Sequence, residues 1–246
     1  MELEAYRQFA ELEENHFWFI GRREIFFHLI DKELAGTQGL RVLEIGCGAG
    51  GMMVPLSKYG TVTGIDISPD IIAFCRARGL ESVLVGSGYD LPIQPGSMDL
   101  VALFDTIEHI PDDARVLEQC HRTLKPGGLL FVSVPAYQFL YSNNDRVAQH
   151  QRRYTRGDLR NRLERAGFTV TTATYFNTLL FPMILPTVLA KKAKERFVDV
   201  GDTTNLSHEY SPRVNTALAR VMSSERRLLT KMEFPFGHSI IAMARR

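Results

Sequence analysis

The segment VLEIGCGAGG (42–51) constrains this chain more than any other stretch. A short apolar run with branched side chains reads as a buried strand, and it ends in a turn carrying Gly46, Gly48, Gly50 and Gly51. Glycines there permit left-handed torsions and let a ligand approach the main chain without meeting a Cβ. The alternation continues downstream. TVTGIDI (61–67), ESVLVG (81–86), MDLVALFD (98–105) and LLFVSVP (129–135) predict strands. SPDIIAFCRARG predicts a helix with Ser68 as cap, Pro69 in its first turn and Gly79 as terminator. A second helix, starting at PDDARVL, ends before Pro126. Single helices between short apolar strands mean βαβ crossovers, so the expected class is α/β: a parallel sheet with helices on both faces.

A chain of 246 residues can bury a core without a disulfide or metal staple. Lys and Arg number 29 against 28 Asp and Glu, a formal net charge of +1, which gives no case for general nucleic-acid binding. Cys47, Cys75 and Cys120 are odd in number and widely spaced. That argues against a disulfide framework and a zinc knuckle, and it fits a reducing, cytoplasmic setting. The acidic N-terminus lacks the basic start and apolar core of a secretion signal. No cluster with metal-ligand spacing is visible, so no metal is expected.

The flanks differ from this core. Residues 1–35 carry Leu3, Tyr6, Phe9, Ala10 and then Ile25, Phe26, Leu29 and Ile30 at helix spacing, interrupted at His16–Phe19 around the only tryptophan, Trp18. Between Asp145 and Arg165 stand seven arginines against three acids. Residues 166–190 then carry no charge. FTVTTATYF (168–176) reads as a Thr-rich strand, and what remains is too short to span a bilayer and holds Pro182 and Pro186. With Lys191, Lys192, Lys194 and Arg196 after it, the stretch 176–196 reads as a packed apolar helix with a solvated basic end, or as a peripheral membrane contact. SIIAMAR (239–245) predicts a last strand.

Asp66 lies 20 residues after Gly46, at the tip of the next strand, where a carboxylate can accept both ribose hydroxyls. The loose GxGxxG spacing alone leaves a nicotinamide cofactor open. Glu44 bears on the choice: a carboxylate beside a pyrophosphate is repelled, whereas one beside a sulfonium or a zwitterionic amino acid is tolerated. Its direct task is read as holding the loop amides.

VLEIGCGAG, Asp66 in GIDIS, LPIQPGSMDLV, FDTIEHIPD and LKPGGLLFVSVP stand in an order that resembles the class I S-adenosylmethionine-dependent methyltransferases over about residues 40–135. HFWFIGRREIF, Asp145 with HQRRYT, and EFPFGHSIIAMAR resemble, more loosely, a bacterial type 11/12-like subgroup associated with glycan or lipid-linked sugar pathways. The resemblance implies a Rossmann-like seven-stranded sheet with a reversed last strand, in one domain. Its parts would be an N-terminal helical lid (1–38), a cofactor core (39–135), acceptor-side helices (136–235) and the last strand (236–246).

It also implies S-adenosylmethionine as cofactor and S-adenosylhomocysteine as product. Gly46, Cys47 and Gly48 would face the methionine portion, with Glu44 nearby, Asp66 on the ribose and Ile67 on the adenine. Ser87 takes the place of the usual adenine-side acid, so the serine, a backbone carbonyl or Asp90 fills that role. Phe104 and Asp105 would line the transfer site, Trp18 would lid the cofactor or anchor the N-terminal helix on the domain, and Arg23, in preference to Arg22, would pair with the cofactor's carboxylate.

His150 and His109 are candidate bases, because an imidazole titrates near ~6.5. Tyr154 is grouped with them, and Arg152 and Arg153 are candidate acceptor-binding residues. The expected function is methyl transfer to a small-molecule or lipid-linked acceptor, with no obligate protein partner. The alternatives are a nicotinamide-dependent oxidoreductase and a non-catalytic methyltransferase-like module at a membrane surface.

Overall fold

The computed structural model describes residues 10–195 and 210–246. Leu3, Tyr6, Phe9, Arg196 and His208 lie outside the described residues. Seven strands form one sheet: β1 (Leu40–Ile45), β2 (Gly60–Asp66), β3 (Val83–Val85), β4 (Met98–Phe104), β5 (Leu124–Pro135), β6 (Thr169–Phe176) and β7 (Ser239–Arg245). Their spatial order is β3-β2-β1-β4-β5-β7-β6. The first five strands pair in parallel, and β7 runs antiparallel to both β5 and β6. This is the α/β sheet the sequence pattern predicts, with the reversed last strand that the resemblance implies.

The chain leaves β1 toward β2 on one side and later returns to β4 on the other. The crevice beyond the carboxyl ends of β1 and β4 is therefore the topological switch point, where open α/β sheets bind ligands.

The longer helices are α1 (Phe17–Leu34), α2 (Pro69–Ala77), α3 (Asp113–Thr123), α4 (Arg156–Arg165), α5 (Phe181–Lys194) and α6 (Pro212–Ser224). The interruption at His16–Phe19 is a helix break: residues 10–15 are helical, and His16 then caps α1, its Nδ1 accepting from Trp18 N at 3.2 Å. Ser68 caps α2 through Ile71 N at 3.4 Å, a contact of the kind worth ~1 kcal/mol.

α1 buries Ile25, Phe26, Leu29 and Ile30 against the sheet and packs along α6. The sheet interior, including Val42, Leu43, Leu100, Val101, Leu130 and Phe131, is fully buried, as strands covered on both faces must be.

Two element boundaries differ from expectation. β5 begins at Leu124, not Leu129, because Leu124 pairs with Met98 and the register resumes after an irregularity at Leu129. α5 runs through Pro186 into the lysine-bearing turn. The missing proline N–H costs one bond, and Lys191, Lys192 and Lys194 face the negative helix end, which favours cations. No helix among the described residues is long and apolar enough to cross a membrane.

Candidate active site at the switch point

The glycine turn is fastened to β2 by main-chain bonds. Gly46 N and Cys47 N both donate to Ile65 O, at 2.7 and 3.1 Å. Gly46 has φ +71°, and a Cβ there would lie 2.5 Å from Thr106 Cγ2. Gly48 has φ +51° and faces open space, so the crevice reaches the main chain at that point. Asp66 is fixed by two amides, Oδ2 accepting from Gly48 N at 3.1 Å and Oδ1 from Ser68 N at 3.0 Å. The carboxylate is thus held in place, and each oxygen keeps a lone pair for another donor. Beside it Ile67 is 74% exposed, an apolar platform at the strand tip.

Acids crowd the crevice around one buried arginine. Glu44 is buried with Oε2 unpartnered. Burial drives its carboxyl well above the usual range, Glu13, Cys75 and Asp66 add to the shift, and Arg22 opposes it. Glu13 is also raised by burial, against the pull of Arg22, Arg78 and Arg23. Arg22 is ion-paired with Asp105, lies over the Phe19 ring at 4.5 Å and keeps Nε unpartnered. Arg23 donates to Glu13 O at 3.3 Å. Both arginines line a small pocket beside Gly51, but Arg22 is the one buried among the acids. Asp105 is itself at φ +50° and is anchored by Ser133 Oγ at 3.1 Å.

The opposite wall is built around two buried aspartates, Asp113 with partners far away in sequence and Asp145 with partners in its own loop. Buried Asp113 accepts from Tyr154 Oη at 2.6 Å and from Arg162 Nη1 at 2.6 Å, and Arg152 Nη1 lies 3.2 Å away. Buried Asp145 takes His150 Nδ1 at 2.8 Å and Arg153 Nε at 2.7 Å. Although burial favours its neutral form, those hydrogen bonds hold the Asp145 carboxyl well below the usual range. Gln151 N donates to Glu108 O at 2.7 Å, tying this loop to the end of β4. His109 and His150 meet edge to face, with ring centroids 4.6 Å apart.

The predicted residues distribute unevenly over these two walls. Glu44, Gly46, Cys47, Gly48, Asp66, Ile67 and Asp105 stand at the crevice. Phe104 turns into the core, stacking on Phe26 with centroids 5.6 Å apart and touching Phe131. Trp18 stacks on Phe176 at 6.1 Å and meets His238 at 5.8 Å, which puts it toward β6 and β7. Ser87 Oγ accepts from Tyr89 N at 3.2 Å, and Asp90 is exposed.

Tyr154 is fully buried, its hydroxyl spent on Asp113 and its acidity suppressed by burial and that bond. Arg153 is engaged by Asp145 and Ala136 O, and Arg152 by Asp113 and Pro111 O, so both brace the loop. The roles of Glu13, Glu108, Asp113 and Asp145 escaped the sequence. The Glu108-His109 dipeptide after the fourth strand and the short spacing from Asp145 to His150 were the available signals.

Residues 43–132 match the family model described as "Methyltransferase domain". A ubiquinone biosynthesis O-methyltransferase of Xanthomonas oryzae is 41% identical over 102 residues, covering 39% of this chain and 43% of the relative. A counterpart from Pseudomonas aeruginosa is 38% identical over 108 residues, covering 41% and 47%. The chain thus spans less than half the length of these curated relatives. A putative sarcosine dimethylglycine methyltransferase from Galdieria sulphuraria shares the fold with a TM-score of 0.60 at 19% identity, over 91% of this chain and 84% of that one. Residues 43–132 of this chain thus match a methyltransferase domain, and the sheet around them has the fold of solved methyltransferases.

Proposed function

We propose that this protein transfers a methyl group from S-adenosylmethionine to a small-molecule acceptor, with a hydroxyl oxygen as the favoured nucleophile. The observation that carries the reading is the geometry at Asp66. A carboxylate held by two amides, an exposed apolar side chain next to it and bare main chain at Gly48 match ribose, adenine and amino-acid portion in turn. The acids Glu44, Glu13 and Asp105 suit a sulfonium and an ammonium, and Arg22 suits the carboxylate of the same ligand. A pyrophosphate would meet that acid cluster unfavourably, which is why a nicotinamide cofactor is the weaker reading.

The cofactor supplies the activated methyl, and the protein supplies alignment. In the proposed reaction the acceptor oxygen forms its bond to the methyl carbon as the carbon–sulfur bond breaks, leaving S-adenosylhomocysteine. The acceptor proton is taken up at the polar wall formed by Glu108, His109 and His150, which Asp145 and Gln151 N hold against the end of β4. Alignment of oxygen, carbon and sulfur provides most of the acceleration.

The relatives' printed names support an O-methyl product. A lipid-linked or glycan acceptor is the finer alternative within this reading. It draws support from Phe139, Leu179, Met183 and Phe236, all large, apolar and exposed; Leu179, Met183 and Phe236 lie at the start of α5, and Phe139, whose carbonyl accepts from Lys192, lies at its basic end. In that version the protein sits peripherally on a membrane from the cytoplasmic side. Labelled S-adenosylmethionine offered with soluble phenols, with lipid-linked sugars and with anionic vesicles tests the set. Label in an ether product of a soluble phenol supports the first form. Transfer only in the presence of vesicles supports the second. Cofactor binding with no transfer to any acceptor reduces the protein to a binding module.

A further inference from the structure

We propose that Glu108, His109 and His150 form a binding site for one first-row transition-metal cation of the zinc or manganese class, beside the methyl-transfer crevice. The linear sequence conceals this grouping, because His150 lies in the loop before α4 and the other two follow β4. The fold brings one ligand atom of each within 4.8 Å of the other two. Ligand atoms around a tetrahedral ion with bonds of about 2.1 Å stand about 3.4 Å apart, so closure asks for a side-chain adjustment of about an ångström.

Three features favour a cation over a simple hydrogen-bonded cluster. First, Glu108 is fully buried, and neither carboxylate oxygen has a hydrogen-bond partner. A buried, unpartnered carboxylate is costly unless something positive meets it. Arg22 and Arg153 are near enough to attract it, yet neither hydrogen-bonds to it.

Second, one of the imidazoles is braced on one nitrogen: His150 Nδ1 is held by the buried Asp145 carboxylate at 2.8 Å. Metal-bound histidines are characteristically held in this way, by a carboxylate or a carbonyl on the second nitrogen. Gln149 adopts φ +61°, a left-handed conformation that turns the main chain at this point. Third, the site is graded from floor to rim. Glu108 is buried, His150 half-buried and His109 exposed, which leaves a route for the ion from solvent, and three protein ligands leave coordination positions open.

Two nitrogens and one carboxylate select zinc, manganese, iron or cobalt over magnesium, which prefers oxygen ligands. If the methyltransferase reading holds, the ion occupies the side chains that take up the acceptor proton in the ion-free reaction; an acceptor hydroxyl on an open position is then acidified by the cation and loses its proton to water. Its oxygen then takes the methyl, so the proton and the thioether product balance the reaction. Binding of the ion itself does not depend on that reading.

The test uses full-length, tag-free protein stripped with a chelator and titrated calorimetrically with Zn²⁺, Mn²⁺ and Mg²⁺. S-adenosylmethionine binding is followed in parallel. The expected result is one Zn²⁺ or Mn²⁺ per chain, held more tightly than Mg²⁺. E108Q and H150A should abolish binding, and Asp145→Asn should weaken it about 10-fold by loosening the histidine. Circular dichroism identifies any variant that fails to fold. For such a variant the Co²⁺ visible spectrum of wild-type protein, which must carry the signature of nitrogen ligation, replaces it. Sub-stoichiometric binding, unaltered binding in folded E108Q and H150A, or a Co²⁺ spectrum of the hexaaqua ion overturns the proposal. Loss of cofactor binding with metal binding intact would instead overturn the methyltransferase reading.

Discussion

The two walls of the crevice are built by different means. The glycine-turn wall is main chain: amides of Gly46, Cys47, Gly48 and Ser68 do the holding, and a single side chain, Asp66, is presented. The wall opposite is side chain: buried Asp113 gathers Tyr154, Arg152 and Arg162 from a distant loop and helix, and buried Asp145 gathers His150 and Arg153 from its own loop. A surface made of main chain can keep one shape around a constant cofactor. A surface made of exchangeable side chains can be refitted to a new acceptor without disturbing the first.

If that contrast is right, damage to the two walls should have different consequences. The largest effect belongs to the side-chain wall. Asp113→Ala leaves the Arg162 guanidinium and the Tyr154 hydroxyl without their buried partner, and loss of one member of such a pair costs about 3–5 kcal/mol. Chemical denaturation should show that loss. A change under 1 kcal/mol would mean the loop is held by something else.

On the main-chain wall, Gly46→Ala forces a Cβ against Thr106 at a positive φ. Overpacking and left-handed strain together cost about 3 kcal/mol. Cofactor affinity should fall with stability, because the turn cannot keep its path, and calorimetry on the folded fraction would expose any separation of the two.

A smaller effect is expected from Glu44→Gln, and it should depend on pH. Burial raises the folded-state pKa of Glu44 above its unfolded value. The native protein therefore holds a proton that the unfolded chain releases. This contribution is fully present below the unfolded pKa and is lost as pH rises through the folded one. The glutamine variant should melt higher than wild type at about pH 8, and the gap should close toward about pH 4. A gap of constant size across that range would show that folding does not raise the Glu44 pKa.

The smallest effect is expected at Arg160, whose pairs with Glu164 at 3.8 Å and Glu233 at 3.6 Å are solvent-exposed. Replacing it with alanine should shift stability by no more than about 0.5 kcal/mol. A larger shift would move part of the arginine-rich segment from surface to framework.

The same contrast explains what the sequence made legible. The strands and the glycine turn are local patterns, so VLEIG, GIDIS and MDLVALFD could be read directly, together with Asp66 at its strand tip. The i,i+4 pair of Arg160 and Glu164 is local in the same way. Arg152 and Arg153 looked like free cations for an acceptor because their acids, Asp113 and Asp145, are brought to them only by folding. Phe104 looked like a crevice residue because strand position does not say which face a side chain takes, and Phe26 on α1 decides it. The grouping of Glu108, His109 and His150 was hidden by chain separation, which is why spacing along the sequence suggested no metal ligands.

Calorimetry of wild type and Asp66→Ala with S-adenosylmethionine and with NAD tests the central claim most directly. The account predicts stoichiometric binding of S-adenosylmethionine by the wild type, weakened about 100-fold in the variant through loss of two charge-assisted ribose contacts, and no binding of NAD. Tight NAD binding, or an affinity for the methyl donor that survives the loss of Asp66, would contradict it.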